Sequence, residues 1–269
     1  MPRPSSIASG PLELKPQTDS LQPIARDTLQ ERVYLRIRQA LIYSEFEPGQ
    51  VLTIRELARK LGTSIMPVRE ALQKLTVERV LELLPTRSVR VPVLSAEEFA
   101  EICEARMLLE GHMARLAAER ADAADLERIE QASRSFLSAK VPSTPTVIQQ
   151  RNREFHFAIY EAAHQVTMLE LIEPLWVRCG PCTVALFVDL GVEKIKRGAT
   201  THHQQALEAI RARRPAAAEE AIVADIRATS ERYQKYRREH AEFFADRSGA
   251  TGTGEGNDGA AYVAANTSP

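Results

Sequence analysis

The stretch TIRELARKLGTSIMPVREALQKL, residues 53–75, constrains the fold more than any other part of the 269-residue chain. Thr53 and Glu56 have capping-box spacing, in which a hydroxyl and a carboxylate each satisfy a backbone N–H left open at a helix start. Ile54, Leu57, Ala58 and Leu61 follow on one helical face as far as Gly62, a residue suited to the left-handed turn that ends a helix. Thr63 or Ser64 can cap the next helix. Pro67 then falls in a first turn, where its missing N–H costs little, and Val68, Ala71, Leu72 and Leu75 form the apolar side.

The flanks complete a larger unit. Leu29, Val33, Ile37, Leu41 and Ser44 mark a preceding helix that the turn EPGQ (47–50) ends. LELL (81–84) and VRVPV (89–93) flank PTRS as a short hairpin. Helix, helix, turn, helix and hairpin make a winged helix-turn-helix over residues 27–94. The unpacked face of its third helix carries Met66, Arg69, Glu70 and Gln73, and the hairpin tip carries Arg87 with Arg90 nearby; these are candidates for a DNA groove. Residues 28–94 hold 11 Lys and Arg against 7 Glu, a net of +4 in a chain whose total is −1, so the basic surplus lies where phosphate contact would need it. The alternative is a small helical subdomain with a solvated polar face, since helix-turn-helix geometry also occurs in proteins that never meet DNA.

With 35 basic and 36 acidic residues, the whole molecule is no polycation, so a nucleic-acid surface must be local. Abundant Ala, Leu, Glu and Arg, few Gly and Pro, and 6% aromatics predict a mainly α protein. No apolar run is long enough to span a bilayer and the N-terminus lacks the order of a secretory signal, so no membrane partner and a cytoplasmic location are expected. The odd number of cysteines, 3, fits a reducing compartment. Residues 1–26 and 247–269 lack apolar periodicity and read as disordered tails.

Residues 95–246 are helical almost without relief. Ser95 and Glu98 again have capping-box spacing, and Phe99, Ile102, Cys103, Arg106, Leu109 and Met113 recur at helical intervals, placing an arginine in an apolar stripe. Asn152, Phe155, His156, Ile159, Tyr160 and Ala163 share one face; His203, Ala206, Leu207 and Ile210 a second; Ala218, Ala221, Ile222, Asp225 and Thr229 a third. Three helices thus turn polar, metal-capable side chains inward. Unpaired, such groups are costly to bury, so they should meet one another, a ligand or an ion. His202 points about 100° from His203 and reads as solvated. His112, His164 and His240 read as surface or cap residues. Arg106 and Arg178 are the natural partners of an anionic effector, because a guanidinium fork matches a carboxylate; the alternative for Arg106 is internal pairing with a glutamate such as Glu110 or Glu170. Cys179-Gly-Pro-Cys182 has thioredoxin-like spacing but lies inside a helical run rather than at a helix start after a strand, so the cysteines read as core or cavity lining.

Two resemblances extend this reading. PGQ (48–50), IRELARKLG (54–62), PVREAL (67–72) and the PTRS tip resemble the DNA-binding domain of GntR-type bacterial transcription regulators. That resemblance implies DNA contacts from Arg55 and Arg69, helped by hydroxyl residues at the helix start, Thr63 and Ser64, and at the wing tip. Ile65 and Met66 stand where relatives usually have an arginine and a small hydroxyl residue, and Ser88 where the wing usually has glycine. A guanine reader is worth roughly 1–3 kcal/mol of discrimination, so the operator is expected to differ from the family norm or to be bound less selectively.

EARMLLE (104–110), NREFH (152–156), LIEPLWVRCGP (171–181) and HQQALEAI (203–210) resemble the FCD effector domain, an antiparallel bundle of six or seven helices. A Gly-Pro kink like that at 180–181 is ordinary in this family. Many members hold a divalent metal through an aspartate and three histidines, with a small carboxylate completing the shell. By motif those ligands fall on Asn152, His156, His203 and Asp225, an amide replacing the aspartate and a carboxylate replacing a histidine. The set still suits a transition metal such as Zn, Ni or Mn, while a metal-free histidine–aspartate pair is the alternative. The expected protein is therefore not an enzyme. It is a ligand-responsive regulator, expected as a repressor, that binds a palindromic operator in double-stranded DNA as a homodimer and senses a small organic acid. A metal-dependent hydrolase fused to a DNA-binding module and a dimeric DNA-bound protein without metal or ligand are the competing readings.

Overall fold

A computed structural model describes residues 29–43, 45–86, 88–138, 144–242 and 244. Both predicted tails, Ser44 and the wing-tip Arg87 lie outside the described residues. Helix α1 (Leu29–Ile42) buries Val33, Tyr34, Ile37, Ala40 and Leu41. Helix α2 (Ile54–Leu61) begins at Thr53, whose hydroxyl accepts from the Glu56 N–H. Only half of the predicted capping box is recorded, because the Glu56 carboxylate lies 2.8 Å from Lys60. The helix ends at Gly62 with φ +62°, a conformation that strains any residue bearing a Cβ. After this tight turn Ser64 opens α3 (Ile65–Val77), which buries Val68, Ala71, Leu72 and Leu75.

The wing contains more than the expected hairpin. Strand β2 (Glu82–Leu83) pairs with β3 (Val89–Arg90), and β1 (Val51–Leu52), just after the EPGQ turn, joins the other edge of β3 to give the antiparallel order β1-β3-β2. Two-residue strands carry no readable alternation, which is why β1 left no signal in the sequence.

Six helices follow in the described part of the second half: α4 (Ala96–Arg120), α5 (Ala123–Ser138), α6 (Pro145–Glu161), α7 (Val166–Leu190), α8 (Val192–Arg211) and α9 (Pro215–Glu239). Here the Ser95–Glu98 capping box is complete, with bonds of 3.1 and 2.8 Å. Gly111 lets α4 and α9 approach, since a Cβ there would lie 2.8 Å from Val223. One apolar core runs through this bundle, from Phe99 and Met113 on α4 to Ile222 and Tyr233 on α9.

Helix α7 belongs to both halves. Trp176 lies in the bundle core, whereas its neighbour Val177 is wholly buried in the core of the winged unit. Gly180 presses against the end of α1, where a Cβ would come within 2.5 Å of the Leu41 carbonyl oxygen. Ion pairs flank this contact: Glu173 meets Arg38 of α1 at 2.8 Å and Arg153 of α6 at 3.3 Å. Gly180→Ala should therefore lower stability by about 1–3 kcal/mol through overpacking against backbone, read as a reduced denaturation midpoint; an unchanged midpoint would show that α1 and α7 separate freely.

Candidate functional site

The bundle encloses a cavity of about 60 Å³, walled by Arg106 of α4, Asn152 and His156 of α6, Trp176 and Thr183 of α7, Ala199 of α8, and Asp225, Thr229 and Arg232 of α9. Helical periodicity accounts for much of this convergence. Asn152 and His156 are one turn apart, and Asp225, Thr229 and Arg232 follow each other up one face of α9.

A buried hydrogen-bond chain supports the wall. Arg106 grips Glu110 through two bonds, 2.6 and 3.2 Å, with its guanidinium 4.3 Å from the Trp176 ring centre. Tyr160 donates at 2.5 Å to Glu110 Oε2, the oxygen that also accepts the 3.2 Å bond from Arg106, and His156 Nδ1 meets the same hydroxyl at 2.8 Å. His156 Nε2 lies 3.2 Å from Asp225 Oδ2. Burial opposes the ionised Asp225 carboxylate, but the adjoining His156 ring and the nearby His203 and His202 imidazoles outweigh it and hold its pKa down at about 2. Arg106 is thus committed internally, as the Glu110 alternative anticipated, and its guanidinium is not free to clamp an incoming acid.

His203 completes the cluster. It stacks on Phe155 at 4.2 Å, its ring centre is 5.1 Å from that of His156, and burial drives its pKa down to about 3, leaving a neutral imidazole at physiological pH. One candidate ligand atom from each of His156, His203 and Asp225 lies within 4.8 Å of the others. Both His203 ring nitrogens, the His156 Nε2 and Asp225 Oδ1 are buried without a recorded hydrogen bond, a concentration of unmet polar atoms that native cores ordinarily avoid. Two imidazoles and a carboxylate, with the Asn152 amide on the same cavity wall, form a donor set that fits a divalent transition metal.

Several expectations need correction. Arg178 is half-buried on α7 and is not among the residues lining the cavity, because helical rotation directs it away from the wall formed by Trp176 and Thr183. His202 is not fully solvated: it is half-buried, with Nδ1 shut off from water. Arg232 was not foreseen, although it stands two turns from Asp225 and that spacing was readable. Cys179 and Cys182 lie buried within α7, and burial pushes the Cys182 thiol up to about 12, which suits core packing rather than thiol exchange.

On the winged unit, Arg55, Ser64, Met66, Arg69 and Gln73 are all exposed. Ser64 makes no capping bond, so its hydroxyl stays available, whereas Thr63 is half-buried with its hydroxyl oxygen unpartnered. Arg90 differs from expectation: it spans the β2–β3 pair to Glu82 at 2.7 and 3.0 Å, stiffening the wing instead of projecting freely.

A winged helix-turn-helix joined to an all-helical domain is the architecture of a class of transcription regulators. Residues 29–91 match the bacterial regulatory proteins of the gntR family, and residues 101–228 match the FCD domain. The HTH-type transcriptional regulator McbR of Escherichia coli (strain K12) is 30% identical over 167 residues, which span 62% of this chain and 76% of that protein. A putative L-lactate dehydrogenase operon regulatory protein of the same organism is 31% identical over 162 residues, with 53% and 61% of the respective chains covered. The solved structure of E. coli McbR/YncC superposes with a TM-score of 0.73 at 28% identity, covering 78% of this chain and all of that one. The chain belongs to the GntR family of transcription regulators, with an FCD domain as its second half. It is a DNA-binding transcription regulator.

Because Arg106 and Glu110 are buried together, removing one charge strands the other. Arg106→Met should cost about 3–5 kcal/mol in denaturant unfolding, and adding Glu110→Leu should recover most of the loss; equal instability of the single and double variants would refute the pairing.

Proposed function

We propose that this regulator senses a small organic acid in the FCD cavity and that binding there weakens its hold on a palindromic operator, so that it represses until its ligand arrives. The observation that carries this reading is the division of labour on α7: Trp176 walls the cavity while the adjacent Val177 is packed in the winged unit. Asn152 and Trp176 also flank the helix segments bearing Arg153 and Glu173, which tie α6 and α7 to Arg38 on α1. Helix α1 is bound in turn to the end of α3, where Tyr34 donates to Glu78 at 2.9 Å and Lys74 sits 3.6 Å over the Tyr34 ring. A ligand acts through its different affinity for the two arrangements of the winged units, and packed elements with discrete positions transmit that difference.

In this reading His156, His203 and Asp225 hold a divalent metal such as Zn, Ni or Mn, with Asn152 beside them. The metal supplies a Lewis-acidic point for a ligand carboxylate. Their unmet buried atoms support it, and a relative named for an L-lactate dehydrogenase operon is consistent with an organic acid. Arg69 and Gln73 of α3 read the major groove, Met66 packs against base edges, and Arg55 and Ser64 contact phosphates. Two copies of the chain present two such surfaces to the half-sites of one operator.

Arg69→Ala should weaken operator binding by over tenfold in a gel-shift assay; wild-type affinity in that variant would remove α3 from the interface. Chelation should lower the melting temperature of the native protein, and His203→Ala should abolish that response. A native protein whose melting is indifferent both to chelator and to added zinc, nickel or manganese would refute the metal site.

A further inference from the structure

Among the described residues, one guanidinium of the cavity wall has no recorded ion pair. Arg106 is neutralised by Glu110, whereas Arg232 lines the cavity and has no ion pair recorded among the described residues. Its position is purchased by a glycine. An ideal Cβ at Gly198 of α8 would lie 2.4 Å from Arg232 Nη2 and 3.3 Å from Cζ, so the guanidinium rests against bare α8 backbone that any other residue would cover. Gly198 sits in the interior of α8, where glycine is the poorest helix former apart from proline, so the sequence tolerates a local cost at the place where Arg232 needs room.

The arrangement also has polarity along α9. Asp225 belongs to the imidazole–carboxylate cluster, and Arg232 stands seven residues on along the same face, roughly 10 Å along the helix axis. Helical side chains lean toward the helix N-terminus, which from Arg232 is the direction of Asp225. One end of the cavity therefore offers the donor set for a metal, and the other offers a fork that matches a carboxylate.

We infer that Arg232, seated on Gly198, is the specificity residue for the distal carboxylate of a short dicarboxylic acid, whose other carboxylate faces the His156–Asp225 end. This rests on the proposed acid-sensing role of the cavity. The small volume, about 60 Å³, selects a short chain, and the unpaired guanidinium selects a second negative charge over a methyl group. Monocarboxylates of the same length leave the fork unmatched.

The test is calorimetric titration of the full chain, in saturating zinc chloride, with succinate and with butyrate, which differ by one carboxylate replacing a methyl. The native protein should bind succinate at least tenfold more tightly. Arg232→Gln should erase that preference by weakening succinate at least tenfold while leaving butyrate unchanged, and Arg232→Lys should recover part of it. Gly198→Ala provides a variant that keeps the arginine: the colliding atoms are the flexible tip of Arg232, so the protein folds, its ligand-free melting temperature does not fall, and succinate preference drops as in Arg232→Gln. Succinate binding of native strength in Arg232→Gln, together with its loss in His156→Ala, would overturn this assignment alone. Heat from neither acid with the native protein would overturn the acid-sensing reading and the assignment together.

Discussion

A carboxylate sealed inside a helical bundle is tolerable only when its charge is matched and its oxygens are satisfied. Glu110 meets that demand with Arg106 bonded to both of its oxygens and Tyr160 donating to Oε2. The Tyr160 hydroxyl leads on to His156, and His156 to Asp225, so one chain of contacts crosses α4, α6 and α9. This chain orients the imidazole and the carboxylate at the cavity wall. It stops short of His203, whose ring nitrogens have no recorded hydrogen bond, and there the core keeps coordination capacity that packing alone does not use.

Helix α7 is shared between the cavity wall and the core of the winged unit. Its residues alternate between the two cores because 100° of rotation per residue carries adjacent side chains to different faces. Trp176 faces Arg106 and the cavity, Val177 faces the winged unit, and Gly180 admits the end of α1 at a distance no larger residue permits. The Gly-Pro pair inside this helix, which in isolation resembles a redox motif, has its physical reason in that close approach.

The outward surface of α3 follows a simpler rule. Val68, Ala71, Leu72 and Leu75 are consumed by packing, which leaves Met66, Arg69 and Gln73 outward on the opposite face of α3. Arg90 shows the limit of reading such a surface by residue type. An arginine on a strand beside a cross-strand glutamate satisfies that partner before it meets solvent, and Arg90 does so with Glu82.

The sequence by itself determined whatever depends on spacing within one element. That covers the two helices around Gly62, the Ser95 cap, the outward face of α3, and the convergence of His156, His203 and Asp225 on inner faces. Periodicity of 3.6 residues and capping chemistry are local, so they are legible without coordinates. Tertiary structure decided what depends on partners distant in the chain. It joined β1 to the wing, committed Arg106 to Glu110, turned Arg178 away from the cavity, and set Arg232 against Gly198. Whether a guanidinium is paired or free depends on which helix packs beside it, and composition and spacing along a single helix carry no record of that neighbour.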